Sequence, residues 1–135
     1  MTTTADEIEA IKRLKARYFR LMDQKDWPAM RGLFTDGYVL DATGTGATEI
    51  LTGADAMVKL LEQTLQDAVT AHHGHMPEIE LVSDGEATGV WALADLIVFA
   101  DGSRMQGYGH YHDTYRKEDG VWKIATSTVT RLLME

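Results

Sequence analysis

Three Asp-Gly pairs, Asp84-Gly85, Asp101-Gly102 and Asp119-Gly120, constrain this chain more than any other feature of it. Asp-Gly supplies the two residues that best tolerate the positive φ of a tight hairpin turn. Each pair stands between runs of strand-forming residues. The runs at 71–82, 87–100, 105–116 and 121–132 are therefore expected to form an antiparallel meander. Gly74 and Pro77 interrupt the first run, and a bulge is expected there.

The first half has a different period. Ile8, Ile11, Leu14, Tyr18, Leu21 and Met22 recur at three- and four-residue steps and predict a helix over 5–24, with Thr4 or Asp6 as its cap. Lys12, Arg13, Arg17 and Arg20 lie off that stripe, towards water. Asp26 and Pro28 predict a second, short helix over 27–34. A short strand is expected at 38–41, a Gly/Thr-rich loop at 42–47, and a third helix over 53–66 with Met57, Leu60, Leu61 and Leu65 as its stripe. Helices first and an antiparallel sheet afterwards is the α+β layout.

The chain has 135 residues, enough for one domain spanning 1–135 with a sizeable core. Its formal charge of -8 disfavours phosphate backbones and anionic lipid surfaces as partners. There is no cysteine, so thiolate metal sites and disulfides are excluded, and a cytoplasmic location is expected. The polar, acidic start does not resemble a signal peptide.

Asp95 is the sharpest chemical clue. Trp91, Leu93, Ile97 and Phe99 share one face of a strand, and Asp95 sits in the middle of it. A carboxylate in that position needs a partner, either a backbone group or an arginine in a structural role, or an imidazole in a catalytic one. Three histidines lie nearby in His72-His73-Gly74-His75. Unbroken alternation with Ile79 and Leu81 turns His73 and His75 inward, whereas a bulge turns His72 inward. No second cluster completes a metal-ligand pattern, so no metal is expected. On the third strand, Tyr108, His110 and His112 share one face and Tyr111, Asp113 and Tyr115 the other. On the last, Trp122, Ile124, Thr126 and Thr128 share a face, and Thr128 is a candidate pocket hydroxyl. Tyr18 is central on the first helix's apolar stripe. Asp23, near that helix's C-terminus, opposes the helix dipole and needs a role. No phosphate loop, nucleophile elbow or other cofactor motif is present.

Three stretches, Tyr18-Phe-Arg-Leu-Met-Asp23, His72-His-Gly-His75-Met-Pro-Glu-Ile79 and Ala87-Thr-Gly-Val-Trp91-Ala-Leu-Ala-Asp95, resemble the nuclear transport factor 2-like superfamily in its SnoaL-like branch. Within that branch they are most similar to the bile-acid 7α-dehydratases, and more distantly to scytalone dehydratases. The resemblance implies a cone-shaped, curved antiparallel sheet (an α+β barrel) closed by three N-terminal helices. It also implies a homo-oligomer, dimer or trimer, and selects His72 as the inward histidine. The implied catalytic set is Tyr18, Asp23, His72 and Asp95, with no cofactor. The expected activity is dehydration of a hydrophobic hydroxy-carbonyl ring substrate such as a steroid or polyketide. His72 takes the proton, Asp95 orients the ring, and Tyr18 polarises the carbonyl. An isomerase, a cyclase or a non-catalytic binding module on the same scaffold is the alternative. Trp27, Phe34, Tyr38, Met57, Leu61, His75, Trp91, Tyr108, His110 and Thr128 are expected around the substrate.

Overall fold

A computed structural model describes residues 2–135. Helix α1 (Thr4–Asp23) starts on a capping box: the Thr3 side chain accepts from Asp6, and the Asp6 side chain accepts from the Thr3 backbone. The short helix α2 (Trp27–Arg31) is capped by Asp26 as expected, but it ends earlier than the sequence predicts. Gly32 closes it, and Phe34 already pairs with Ile124 in strand β1 (Phe34–Asp41). A 3-10 turn at Thr43–Thr45 and a two-residue strand β2 (Leu51–Thr52) follow, then helix α3 (Ala54–Leu65).

The meander forms as the Asp-Gly pairs require. Its strands are β3 (Val69–Ser83), β4 (Glu86–Val98), β5 (Arg104–Glu118) and β6 (Val121–Met134). Asp119 and Gly120 both take positive φ, the geometry that makes this pair a hairpin turn. The six strands lie in the order β2-β1-β6-β5-β4-β3 in one curved sheet, antiparallel throughout except where β1 runs parallel to β6. α1 packs on β3 and β6, and α3 on β1, so the core lies between helices and the concave sheet face. Glu7 fastens α1 to the sheet by accepting from Lys117 Nζ at 2.8 Å and Trp122 Nε1 at 2.5 Å. Among the described residues, no helix is long and apolar enough to cross a membrane.

Two bulges decide which side chains face the core. In β3, His75 pairs with Ala92 but Glu78 pairs with Val90, so Met76 and Pro77 together oppose the single residue Trp91 and β3 carries one extra residue. Met76 has φ 49, and Pro77 has no N–H for the ladder. The bulge lets Thr70 and His72 face inward before it, and Ile79 and Leu81 after it. The second bulge is at Ala125, between Ile124, opposite Tyr115, and Thr126, opposite Thr114. It turns Thr126 and Thr128 outward and brings Ser127, Val129 and Arg131 to the concave side.

Candidate active site

Helix α1 delivers Asp23 to His72. Its last turn closes as a Schellman motif: Asp26 N–H reaches Leu21 O at 3.0 Å and Lys25 N–H reaches Met22 O at 3.1 Å. That termination leaves Asp23 at the helix end, beside β3. Its Oδ2 accepts the His72 backbone N–H at 2.9 Å, and its Oδ1 accepts the Thr70 hydroxyl at 2.9 Å. Oδ1 also lies 2.8 Å from His72 Nδ1. Burial raises the Asp23 carboxyl, but the bonds from the His72 ring and backbone and from Thr70 outweigh it, so its pKa is lowered. An ionised carboxylate only accepts, so the proton of the neutral His72 ring is on Nδ1. Nε2 then carries the lone pair. The imidazole is 7% exposed and Asp23 24% exposed, so the dyad is sheltered without being sealed.

The expected partnership of His72 with Asp95 is corrected by this geometry. Asp95 is buried, as the sequence implies, and it stands opposite His72 in the strand register. Both of its oxygens, however, accept from Arg131, at 2.8 Å from Nη1 and 2.9 Å from Nη2. Such a bidentate, charge-assisted pair is a strong partner for a buried carboxylate. The pair needs Gly107: a Cβ there would lie 2.5 Å from Arg131 Nη1 and 2.8 Å from Asp95 Oδ1. Arg131 Nε is buried and has no hydrogen-bond partner among the described residues. Because Arg131 faces Asp95 only after the Ala125 bulge, simple alternation does not reveal it.

Behind the dyad lies a second buried ion pair. Lys15 Nζ is 2.8 Å from Asp113 Oδ2, and both side chains are 0% exposed. Asp113 also accepts from the Tyr115 hydroxyl at 2.8 Å, and that hydroxyl accepts from Trp91 Nε1 at 2.9 Å. Burial pushes the Lys15 ammonium down, and Asp113 pulls it back up. The ammonium lies 3.8 Å from the Tyr111 ring centroid and 4.2 Å from that of Tyr18. The sequence reading missed Lys15, although it follows Ile11 by four residues and precedes Tyr18 by three, which is the signal that puts it on the apolar stripe. Tyr18 is buried edge-on to Tyr111, Phe19 and Phe34. Burial raises its pKa, so it stays a phenol and a hydrogen-bond donor.

The remaining expected contacts divide. Phe34, Tyr38, Met57 and Trp91 are core residues, and Leu61 packs against them partly exposed. Phe34 and Tyr38 continue the aromatic row from Tyr18, with ring centroids 4.5 Å apart. Trp27 is buried, and its indole N–H is taken by Gln66 Oε1 at 2.5 Å. His75, Tyr108, His110 and Thr128 are corrected. The two bulges and the alternation of β5 put them on the convex face, opposite the side that carries His72 and Asp95. The inward face of β5 is the one carrying Tyr111, Asp113 and Tyr115. A groove of about 440 Å³ runs between α1 and the β5–β6 turn, and its walls include none of Tyr18, Asp23, His72 and Asp95. Among the described residues, no three His, Asp or Glu side chains gather as metal ligands.

Known structures share this arrangement of helices and sheet. A protein from Novosphingobium aromaticivorans, provisionally named a scytalone dehydratase, is 26% identical with a TM-score of 0.86, over 96% of this chain and 86% of that one. A hexachlorocyclohexane dehydrochlorinase, LinA-type3 from Novosphingobium barchaimii, is 17% identical with a TM-score of 0.83, over 96% and 88% of the two chains. A second N. aromaticivorans protein, provisionally named an aromatic ring hydroxylase, is 20% identical with a TM-score of 0.91, over 99% and 95%. The last two likenesses show the fold alone. Residues 3–128 match the SnoaL-like domain, and the chain therefore belongs to the SnoaL-like family of the nuclear transport factor 2-like superfamily.

Proposed function

We propose that the chain is a cofactor-independent lyase, a dehydratase acting on a hydrophobic hydroxy-carbonyl ring substrate such as a steroid or polyketide. The observation that carries this reading is the His72–Asp23 pair, with Nδ1 2.8 Å from Oδ1 and no protein partner on Nε2 among the hydrogen bonds of the described residues. A base with its lone pair presented and its far side held by a carboxylate is the arrangement that proton abstraction needs. The name of the N. aromaticivorans relative, a dehydratase, supports the same class.

In this reading Nε2 takes the proton from the carbon next to the carbonyl. The C–H electrons form the new C=C bond, and the C–O bond to the hydroxyl breaks. The imidazolium returns its proton to the departing oxygen, so one water leaves and the enzyme is restored. Asp23 stabilises the imidazolium between the two transfers. Tyr18 donates to the carbonyl oxygen as charge gathers there. Asp95 holds Arg131 in place, and the free Nε–H of Arg131 offers a second donor to a substrate oxygen. The aromatic row Tyr18, Phe34 and Tyr38 suits a ring system. The chain is further proposed to assemble as a dimer or trimer through the convex sheet face, where Val90, Ala92, Ala94, Leu96 and Val98 line β4. Light scattering after gel filtration checks that point.

The test is incubation with a panel of hydroxysteroids and aromatic hydroxy-ketones, followed by mass spectrometry. A product lighter by one water, formed about 10²–10⁴-fold more slowly by His72→Ala, is expected. Product of unchanged mass points instead to an isomerase or cyclase. Ligand binding without turnover points to a binding module.

A further inference from the structure

Lys25 occupies a position that favours glycine. It is the left-handed residue of the Schellman motif closing α1, with φ 62. A side chain there is strained relative to a right-handed conformation. Its side chain folds back over the helix end. The ammonium donates to Thr70 Oγ1 at 2.9 Å and approaches the Asp23 carbonyl at 3.4 Å. An ammonium has no acceptor, so the Thr70 oxygen must accept from Lys25 and spend its own hydrogen elsewhere. That hydrogen goes to Asp23 Oδ1, at 2.9 Å. Donation therefore converges on Asp23, from Lys25 through Thr70 on one side and from His72 on the other.

We propose that Lys25 is a positioning residue for the dyad: it fixes Thr70 as a donor to Asp23 and, from the far side of that carboxylate, weakens the dyad's hold on an added imidazole proton. Asp23 alone favours an imidazolium, which has no lone pair to offer. A cation beyond Asp23 opposes that tendency and favours the free base. The other charged groups around the dyad are Asp95 on β4, the register partner of His72, and Arg131 on β6. Those two are paired with each other, whereas the Lys25 ammonium reaches the dyad through Thr70 and the Asp23 carbonyl. The inference rests on the proposed role of His72 as a base.

The experiment needs no substrate. The ¹⁵N resonances of the His72 ring are followed against pH in the whole protein, in the wild type, Lys25→Gly, Lys25→Met and Lys25→Arg. Lys25→Gly keeps the left-handed closure of α1, so its melting temperature should stay within a few degrees of the wild type. The midpoint for proton uptake by the dyad should rise by about half a pH unit in Lys25→Gly and Lys25→Met, a roughly three-fold gain in proton affinity. Lys25→Arg should stay at the wild-type value. An unchanged midpoint in the glycine and methionine variants overturns the proposal and leaves Lys25 as a helix closure only. A shifted midpoint together with no product across the substrate panel described above overturns the dehydratase reading and leaves this one standing.

Discussion

Lys15→Met isolates the energetics of the buried interior. The substitution keeps the length and packing of the side chain but removes its charge. Asp113 is then left 0% exposed and, among the described residues, keeps the Tyr115 hydroxyl as its one donor on Oδ2 and has none on Oδ1. Removing one partner of a fully buried pair costs about 3–5 kcal/mol, because the stranded charge keeps its desolvation penalty. A chain of this length has an unfolding entropy of about 0.3 kcal/mol/K, so the melting temperature should fall by about 10–17 °C. Differential scanning calorimetry measures it, with urea titration giving the free energy independently. The double variant Lys15→Met/Asp113→Asn should recover at least half of the loss, since a neutral amide needs no counter-charge. A single variant that melts within two or so degrees of the wild type refutes the reasoning. A double variant no better than the single one shows that the loss comes from packing, not from the stranded carboxylate.

The Asp95–Arg131 pair predicts a steric effect. Gly107→Ala should destabilise the fold by about 1–3 kcal/mol in urea, because the new methyl group has to push apart two groups that hold each other. Asp95→Asn should be less damaging to turnover than Asp23→Asn, which steady-state kinetics on the dehydration product will show. Glu7 predicts an acid limb. Its pKa is held at about 2, mainly by Lys117 and then by Thr2 and Trp122, with burial opposing. A depressed carboxyl stabilises the fold above its unfolded value of 4.5, and that contribution is lost as pH falls towards 2. Melting temperatures between those limits should therefore fall less steeply for Glu7→Gln than for the wild type.

The hairpin meander, the helix stripe and the burial of Asp95 are legible in the residues because each rests on local chemistry. Asp-Gly turns, three-to-four periodicity and an isolated carboxylate on an apolar strand need no knowledge of the rest of the chain. The inward turn of His72 was legible only as one of two parities, since alternation cannot say whether Pro77 slips the register. Arg131 and Thr128 exchange faces through one extra residue, Ala125, in a stretch with no glycine or proline to mark it. The partner of His72 was read as Asp95 because the family resemblance implies that pairing. Asp23 comes from a helix whose closure depends on Lys25 adopting a conformation that its residue type disfavours. Lys15 is the opposite case, a charge whose spacing from Ile11 and Tyr18 is that of the stripe, a local signal that the reading of the stripe passed over.

The central claim is that Asp23 fixes which nitrogen of His72 faces the reacting proton. Long-range ¹H–¹⁵N correlation of the His72 ring above its titration reads this directly. The account predicts a directly bonded hydrogen on Nδ1 and a bare Nε2, with that preference lost in Asp23→Asn and kept in Asp95→Asn. A wild-type ring carrying its hydrogen on Nε2, or one whose tautomer follows Asp95 instead of Asp23, contradicts it.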